Sequence, residues 1–281
     1  MNFNRLVAPL LAVIWFAIGG AAAAVAQSPV IPNTFDPSDR FTKPDTSQLE
    51  RLRFLTVTDF PPFSLVDADR QLVGFHVELA RTICEELDAE AVCEIQALPF
   101  GELEAALGRG EGEAIMAGLA ITPETRARLD FTRPYFRLPA RFLVRADARL
   151  VEPLGAALAA KPVAVIDGTA HAAYLRRHFG RSVIQSYPTR TLALKALEEG
   201  RAVALFDDAV ALSRVLQARQ GVFAFAGEPF FDPRYFGHGL AIATRPNDDA
   251  LTQALNAALV ALQDTGRFEE LYLRHFPIGL F

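Results

Sequence analysis

Short apolar runs alternate with longer amphipathic segments from Leu52 to the C-terminus. Within the longer segments, apolar residues recur every three or four positions, which is the spacing of a helix packed on one face. Strands that alternate with helices are typical of α/β proteins with mainly parallel sheets. The short runs predict strands at 52–57, 92–97, 163–167, 183–186 and 202–206. The longer segments predict helices at 75–87, 100–107, 170–179, 191–199, 209–218, 249–262 and 267–275.

The most informative segment, AIMAGLAITPETRARLDFTRPYF, spans 114–136. Its apolar run 114–121 predicts a strand, and Thr122 follows as a helix N-cap with Pro123 in the first turn. Glu124 places negative charge at the positive end of the helix dipole. A helix that begins at the carboxyl end of a strand offers unpaired backbone N–H groups to a bound anion or carbonyl oxygen. The segment is therefore either a ligand-facing junction or an ordinary strand–helix connection.

A second segment repeats the form of this connection. Residues 106–116 and 196–206 each contain a helix end, a glycine C-cap, a short turn and an apolar strand. The first strand leads to Thr122 and the second to Asp208, and both residues are good N-caps. The repeat either reflects chance similarity or indicates two similar lobes that direct helix N-termini into a shared cleft. Ligands favour such a cleft in open α/β sheets.

Residues 1–26 predict a cleavable secretory signal peptide. Arg5 precedes an alanine-rich apolar stretch that ends at Ala24-Val25-Ala26, a small-x-small cleavage site. The alternative is a retained membrane anchor. Residues 27–48 are rich in Pro, Ser, Thr and Asp, which predicts a flexible leader. The chain is therefore expected to act in the periplasm, with no stable membrane insertion after cleavage of the signal peptide.

Composition narrows the classes of partner and cofactor. The chain has 28 basic and 33 acidic residues, a net charge of −5, and no basic block, so nucleic-acid binding is not expected. The five histidines show no paired metal-ligand spacing, and no phosphate-binding loop is present. No metal or cofactor is therefore expected. In an exported chain Cys84 and Cys93 predict one local disulfide between a helix end and the next strand.

Several motifs occur in order along the chain, namely PFS at 62–64, GF at 74–75, AGLAITPE at 117–124, DFT and PYF within 130–136, GT at 168–169 and FDDAVA at 206–211. Together they resemble the extracellular solute-binding proteins of family 3, the type II periplasmic binding proteins of polar amino-acid ABC transporters. The resemblance implies an α/β, two-lobed periplasmic-binding-protein-like II fold. Each lobe would be a mainly parallel sheet with flanking helices, and two hinge strands would join the lobes.

The resemblance also implies where the chain divides. Lobe 1 is expected to be discontinuous, formed by 49–138 plus 242–281. Lobe 2, with the hinge strands, is expected at 139–241. The hinge crossings are expected near 138–144 and 237–243.

Ligand-binding residues follow from the resemblance position by position. Phe60 and Phe100 match two aromatic positions that sandwich a ligand, although core packing is an alternative for any phenylalanine. Asp208 matches the acid that holds a ligand's ammonium group, and its alternative role is a plain helix N-cap. Thr169 matches a backbone and hydroxyl contact in the second lobe.

The carboxylate-binding position departs from the family pattern. In the family an arginine pairs with the ligand's α-carboxylate, and Thr125 stands at that position here. Arg126 follows one residue later, which on a helix is a rotation of about 100°. Arg126 therefore forms either an ordinary surface ion pair or a remodelled anion contact. The helix N-terminus at Thr122 is expected to remain a weaker anion site.

Two smaller departures occur nearby. Ala120 replaces a hydroxyl residue, and Val57 replaces an acid of the first loop, although Asp59 lies close to it. Because Thr125 replaces the carboxylate-binding arginine while the acid at Asp208 is retained, a cationic, neutral or unusually shaped ligand is favoured. The candidate ligand-binding residues are Asp59, Phe60, Phe100, Gly118, Ala120, Thr125, Arg126, Thr169 and Asp208.

The expected function is capture of a small polar, amino-acid-like or cationic molecule in an interlobe cleft and its delivery to an ABC importer. The expected partners are the ligand and an ABC permease, with the protein acting as a monomer. One alternative is a periplasmic accessory protein of a quinoprotein dehydrogenase system. Another is a cyclohexadienyl-dehydratase-like enzyme with Asp59, Asp208 or His238 as proton donor. The absence of the carboxylate-binding arginine at Thr125 disfavours the acidic substrates of such an enzyme. No catalytic residue is assigned.

Overall fold

The computed structural model describes residues 50–148 and 150–281, so the predicted signal peptide and leader lie outside the described residues. The strands are β1 (Leu52–Thr56), β2 (Asp59–Phe60), β3 (Ser64–Val66), β4 (Leu72–Val73), β5 (Cys93–Ala97), β6 (Ala114–Ile115), β7 (Asp130–Phe131), β8 (Ala140–Arg145), β9 (Pro162–Ile166), β10 (Val183–Tyr187), β11 (Ala204–Asp208), β12 (Phe223–Phe230) and β13 (Ala243–Thr244).

The helices are α1 (Phe75–Glu86), α2 (Leu103–Gly108), α3 (Pro123–Arg126), α4 (Leu154–Ala157), α5 (Ala170–His178), α6 (Arg190–Glu198), α7 (Ala209–Ala218), α8 (Pro233–Phe236), α9 (Asp249–Asp264) and α10 (Arg267–His275). Two 3₁₀ turns lie at Glu90–Val92 and Phe100–Glu102. Within the part of the chain that the structure describes, no helix has the length and apolar character needed to cross a bilayer.

The first lobe is built on a sheet with the strand order β5-β1-β6-β13-β7. β1 pairs in parallel with β5 and β6, whereas β13 runs antiparallel to β6 and β7. Apolar residues of α9 recur every three or four positions, so one face of this helix is buried. That face joins α1, α10, Phe54 of β1 and Ile242 before β13 in a single core cluster. The C-terminal helices therefore return to the lobe in which the described chain begins.

The second lobe repeats this arrangement with the strand order β10-β9-β11-β8-β12. β9 pairs in parallel with β10 and β11, and β8 is antiparallel to β11 and β12. In each lobe a helix ends, a glycine adopts a positive φ, and the chain enters the third strand of the parallel set. The two glycines are Gly110 and Gly200, with φ of 72° and 71°. The repeat predicted from the sequence is confirmed as one connection used twice.

Two chain segments cross side by side between the lobes. Leu240 N donates to Phe136 O at 2.7 Å, and the same two residues form a β-bridge. The first crossing then enters β8, and the second leads into β13. The fold predicted from the resemblance, two α/β lobes joined by two hinge strands, is confirmed.

Two local predictions were wrong in extent. The strand predicted at 114–121 is paired only over β6, because Gly118 adopts a φ of 74° and turns the chain away from the sheet. The helix predicted to begin at Thr122 does begin there, but α3 is a single turn. Leu129 N donates to Thr125 O at 2.9 Å, and the chain then enters β7.

The predicted disulfide is present between Cys84 of α1 and Cys93 at the start of β5. Because the two residues are separated by 9 positions, the closed loop should stabilise the protein by about 2.5 kcal/mol in the chain-entropy model. The double substitution Cys84→Ala with Cys93→Ala is expected to lower the free energy of unfolding by that amount in urea denaturation. Addition of dithiothreitol to the wild-type protein should give the same loss. A loss below about 0.5 kcal/mol would show that the bridge does not constrain the unfolded chain.

Candidate ligand-binding cleft

The candidate residues lie where parallel strands end. Phe60 follows β1 and Gly118 follows β6 in the first lobe, while Thr169 follows β9 and Asp208 ends β11 in the second. Carboxyl ends of parallel strands share one edge of a sheet, and ligands of α/β proteins bind at that edge. Among the hydrogen bonds and ion pairs of residues 50–148 and 150–281, none links the candidates of one lobe to those of the other.

Phe60 forms an aromatic platform in the first lobe. Its ring is half-buried and stacks on Phe63 with 4.7 Å between ring centroids. Gly118 passes so close that a Cβ atom there would lie 2.7 Å from Cε1 of Phe60. The positive φ and this close approach both require glycine at position 118. Gly118 thus acts by leaving room for the ring of Phe60.

A buried histidine supports this platform and was not found by sequence reasoning. His76 lies on the apolar face of α1, 4.9 Å from the ring of Phe63, and its Nε2 is 2.8 Å from the hydroxyl of Tyr135. Burial lowers the pKa of His76 to about 3, although a backbone hydrogen bond at Met116 opposes the shift. The ring is therefore neutral and uncharged beneath Phe60. The only sequence signal was a polar residue at a buried helix position.

Phe100 and Asp59 lie at the surface of the first lobe. The side chain of Phe100, in the 3₁₀ turn before α2, is 52% exposed. An aromatic ring with this exposure is not a core residue, so core packing no longer explains Phe100. Asp59 is exposed in β2, one residue before Phe60. Both positions are accessible to a ligand.

The residues at the former carboxylate position are committed to local structure. Thr125 Oγ1 accepts a hydrogen bond from Thr122 N at 2.9 Å and donates to Ala120 O at 2.8 Å. Thr125 N in turn donates to Thr122 Oγ1 at 3.2 Å, which completes a capping box. Arg126 is exposed, and its guanidinium lies 5.8 Å from the ring centroid of Phe131.

This geometry changes two expectations for the segment. The anion site expected at the helix N-terminus is not supported, because α3 has one turn and the Thr122 and Thr125 N–H groups are already used. Arg126 makes a cation–π contact with Phe131 and forms no ion pair within residues 50–148 and 150–281, and its anion contact with a ligand stays a prediction. Ala120 is exposed and contributes its carbonyl oxygen to the turn. The position of the family's arginine is therefore occupied by a hydroxyl that is bonded within its own turn.

Two N-caps carry the polar candidates of the second lobe. Thr169 Oγ1 accepts from Ala172 N at 3.2 Å and donates to Ile166 O at 2.7 Å, so it caps α5. Asp208 Oδ1 accepts from Ala211 N at 2.8 Å and caps α7. The start of α7 is also tied to the hinge, since Ala209 N donates to Pro139 O at 2.9 Å.

Asp208 is partly buried, and its surroundings shift its titration. Desolvation raises the pKa of Asp208 to about 6, and the neighbouring Asp207 adds to the rise. The Ala211 N–H group and the Arg190 guanidinium act in the opposite direction. At neutral pH Asp208 is therefore a carboxylate that lacks full solvation. A carboxylate in this state is stabilised when a positively charged group binds next to it.

A two-lobed α/β fold with aromatic rings and helix N-caps at the carboxyl edges of its sheets is the architecture of a solute-binding protein. Residues 52–278 match the profile of the bacterial extracellular solute-binding proteins, family 3, and the chain belongs to this family. The resemblance predicted from the sequence motifs is confirmed.

Two curated relatives and one solved structure show which proteins are similar to this chain. The chain is 33% identical over 227 residues to the L-arginine-binding protein of Pseudomonas aeruginosa, covering 79% of this chain and 86% of that protein. It is 30% identical over 231 residues to ABC transporter arginine-binding protein 1 of Escherichia coli, covering 82% and 93%. The fold is shared with substrate binding domain 2 of Lactococcus lactis GlnP in its open conformation. That comparison has a TM-score of 0.72 and 19% identity, and it covers 83% of this chain and 98% of that domain.

Proposed function

We propose that this protein is the receptor of an ABC importer for a small molecule that carries a positive charge, such as a basic amino acid or the corresponding amine. The observation that carries the proposal is Asp208, an under-solvated carboxylate at the carboxyl edge of the second sheet. The arginine-binding function in the names of the Pseudomonas aeruginosa and Escherichia coli relatives supports the same charge.

The aromatic residues of the first lobe support this choice. Phe60 is half-buried and Phe100 is exposed in the first lobe, so their rings would form the opposite wall of the proposed cleft. Aromatic faces attract cations as well as planar groups. Closure of the two lobes would bring these rings and Asp208 around one ligand. Removal of water during closure would then strengthen the charge pair.

The acid end of an amino acid would be held less firmly in this cleft. The Thr125 hydroxyl is bonded within its own turn, and Arg126 lies on Phe131. A decarboxylated ligand should therefore retain most of the binding energy. This distinguishes the proposed site from one built around an arginine–carboxylate pair.

Titration calorimetry with matched ligands tests the proposed function. L-Arginine and agmatine differ by the carboxylate alone, and so do L-lysine and cadaverine. The amine of each pair is expected to bind within about tenfold of the amino acid, and L-glutamate is expected not to bind. If L-arginine binds and agmatine is more than about 100-fold weaker, a carboxylate grip exists and the account of the cleft is wrong. If none of the four cations binds, the cationic ligand itself is wrong.

We also propose that the protein acts as a monomer in the periplasm and delivers its ligand to an ABC permease without catalysing a reaction. The named relatives are binding proteins, which supports a receptor role. Lobe limits at 49–138 plus 242–281 and at 139–241 are supported by the way ten strands divide between the two five-stranded sheets. Incubation with prephenate, followed in the ultraviolet, should show no product formation.

A further inference from the structure

An ion pair with a buried carboxylate lies next to the proposed ligand acid. Asp207 precedes Asp208 in β11, and its side chain is only 3% exposed. Its Oδ2 accepts a hydrogen bond from Nε of Arg190, the first residue of α6. Its Oδ1 accepts from the backbone N–H of Asp208 at 2.9 Å. Asp207 therefore holds Arg190 with one oxygen and the backbone of Asp208 with the other.

Arg190 is a cation that acts on both carboxylates. Its guanidinium acts electrostatically on Asp208 as well as on Asp207. The side chain is 40% exposed and lines an open groove between α6 and α7, so it has room to change direction. Without Asp207 as its partner, the guanidinium of Arg190 would pair with Asp208, on which it already acts electrostatically.

Two other basic residues close to this pair, His171 and Arg141, do not replace it. His171 of α5 is within electrostatic range of Asp207 and Arg190, and burial lowers its pKa, so it is neutral at pH 7. Arg141 of β8 is in register with Asp207, but its Nη1 donates to Leu280 O and its Nη2 to Gly227 O. The first residues of α7 after Asp208 are apolar.

Charge balance shows what the pair does. Arg190 and Asp207 neutralise each other, so Asp208 contributes the net negative charge of the group. If Asp207 were neutral, Arg190 would cancel Asp208 and a cationic ligand would have to displace it. If both Asp207 and Arg190 were neutral, Asp208 would again stand alone.

We propose that Asp207 is a positioning residue that holds Arg190 away from Asp208 and thereby keeps Asp208 open to the positive charge of a ligand. This inference rests on the proposed role of Asp208 in binding, and it adds a specificity-determining pair that no ligand touches. The proposed role predicts a result that simple misfolding of a variant would not produce. A second substitution should restore what the first one removes.

The test compares Asp207→Asn with the double variant Asp207→Asn, Arg190→Gln. Asparagine keeps the shape of the side chain and the acceptor for Asp208 N. Asp207→Asn is expected to weaken L-arginine or agmatine binding at least tenfold in calorimetry at pH 7.5. The double variant is expected to bind within about threefold of wild type. The matched control is Arg201→Gln, which removes an exposed arginine paired with Glu199 on the same lobe and should change affinity less than twofold.

A measurement on the ligand-free protein separates this proposal from the proposed function. Carbon-13 NMR of labelled aspartates should show the pKa of Asp208 falling by at least one unit in Asp207→Asn and returning in the double variant. If that pattern appears while wild type binds none of the cations, the positioning role stands and the cationic ligand is wrong. If the pKa of Asp208 is unchanged in Asp207→Asn, or if the double variant binds more weakly than the single one, the positioning role is refuted.

Discussion

Asp208→Asn is expected to weaken binding of L-arginine or agmatine about 100-fold. Asparagine retains the helix cap on Ala211 N, since amide and carboxylate oxygens cap helices about equally well. It removes the charge that a ligand cation would meet in a partly desolvated site, where one such pair is worth about 3 kcal/mol. Titration calorimetry at pH 7.5 measures the change directly.

A matched control distinguishes the lost charge from a lost cap. Asp248 caps α9 through Leu251 N, and Asp248→Asn removes the same charge from a helix N-cap outside the candidate site. This control is expected to leave affinity within twofold of wild type. Equal affinity in wild type and Asp208→Asn would refute the role of Asp208.

The titration of Asp208 predicts how ligand affinity and the stability of the ligand-free protein each depend on pH. A cation prefers the ionised carboxylate, so affinity should fall about tenfold between pH 7 and pH 5 as Asp208 takes up a proton near pH 6. For ligand-free stability the sign is opposite. The folded-state pKa of Asp208 lies above its unfolded value, so its stabilising contribution is complete only below about pH 4 and is lost as pH rises through about 6. Asp208→Asn should therefore raise the melting temperature of the ligand-free protein at pH 7.5 and remove the pH dependence of binding.

Phe63→Ala is expected to cost about 3–5 kcal/mol of unfolding free energy, the usual range for a fully buried phenylalanine. The ring of Phe63 is 1% exposed and packs against Phe60, Phe75, Phe136 and Phe276. Truncation would leave a cavity beneath Phe60, so ligand affinity should fall with stability. Urea denaturation and calorimetry on the same preparation measure both quantities.

Phe100→Ala is the matched comparison, because the same side chain is removed from an exposed position. It is expected to cost less than about 1 kcal/mol of stability and to weaken binding about tenfold through loss of one aromatic wall. A stability loss below about 1.5 kcal/mol for Phe63→Ala would show that the aromatic cluster is not a rigid support. Unchanged affinity for Phe100→Ala would remove that ring from the site.

Most elements of the fold could be predicted because their signal is local. The apolar repeats of α5 and α9 depend on residues within a few positions of one another. Their ends differ from prediction by one or two residues, as expected where terminal turns fray. The disulfide could also be predicted from the sequence, since its two cysteines are separated by only 9 positions.

Other features of the site depend on pairings that sequence spacing does not reveal. The Asp207–Arg190 pair requires the start of α6 to lie beside the end of β11, which follows from the packing of the second lobe. In the sequence, Thr125 is noticed only because it replaces the arginine of the family pattern. Its hydroxyl completes a capping box, which only the turn geometry shows. Phe60 and Phe100 look alike in sequence, and their burial alone separates a supported ring from an exposed one.

A crystal structure of the protein with agmatine tests the central claim most directly. The account predicts closed lobes, the amine or guanidinium within about 3 Å of the Asp208 carboxylate, and Phe60 stacked on the ligand. Asp207 should remain paired with Arg190 in the same structure. A ligand cation bound away from Asp208, with that carboxylate facing bulk water, would contradict the account.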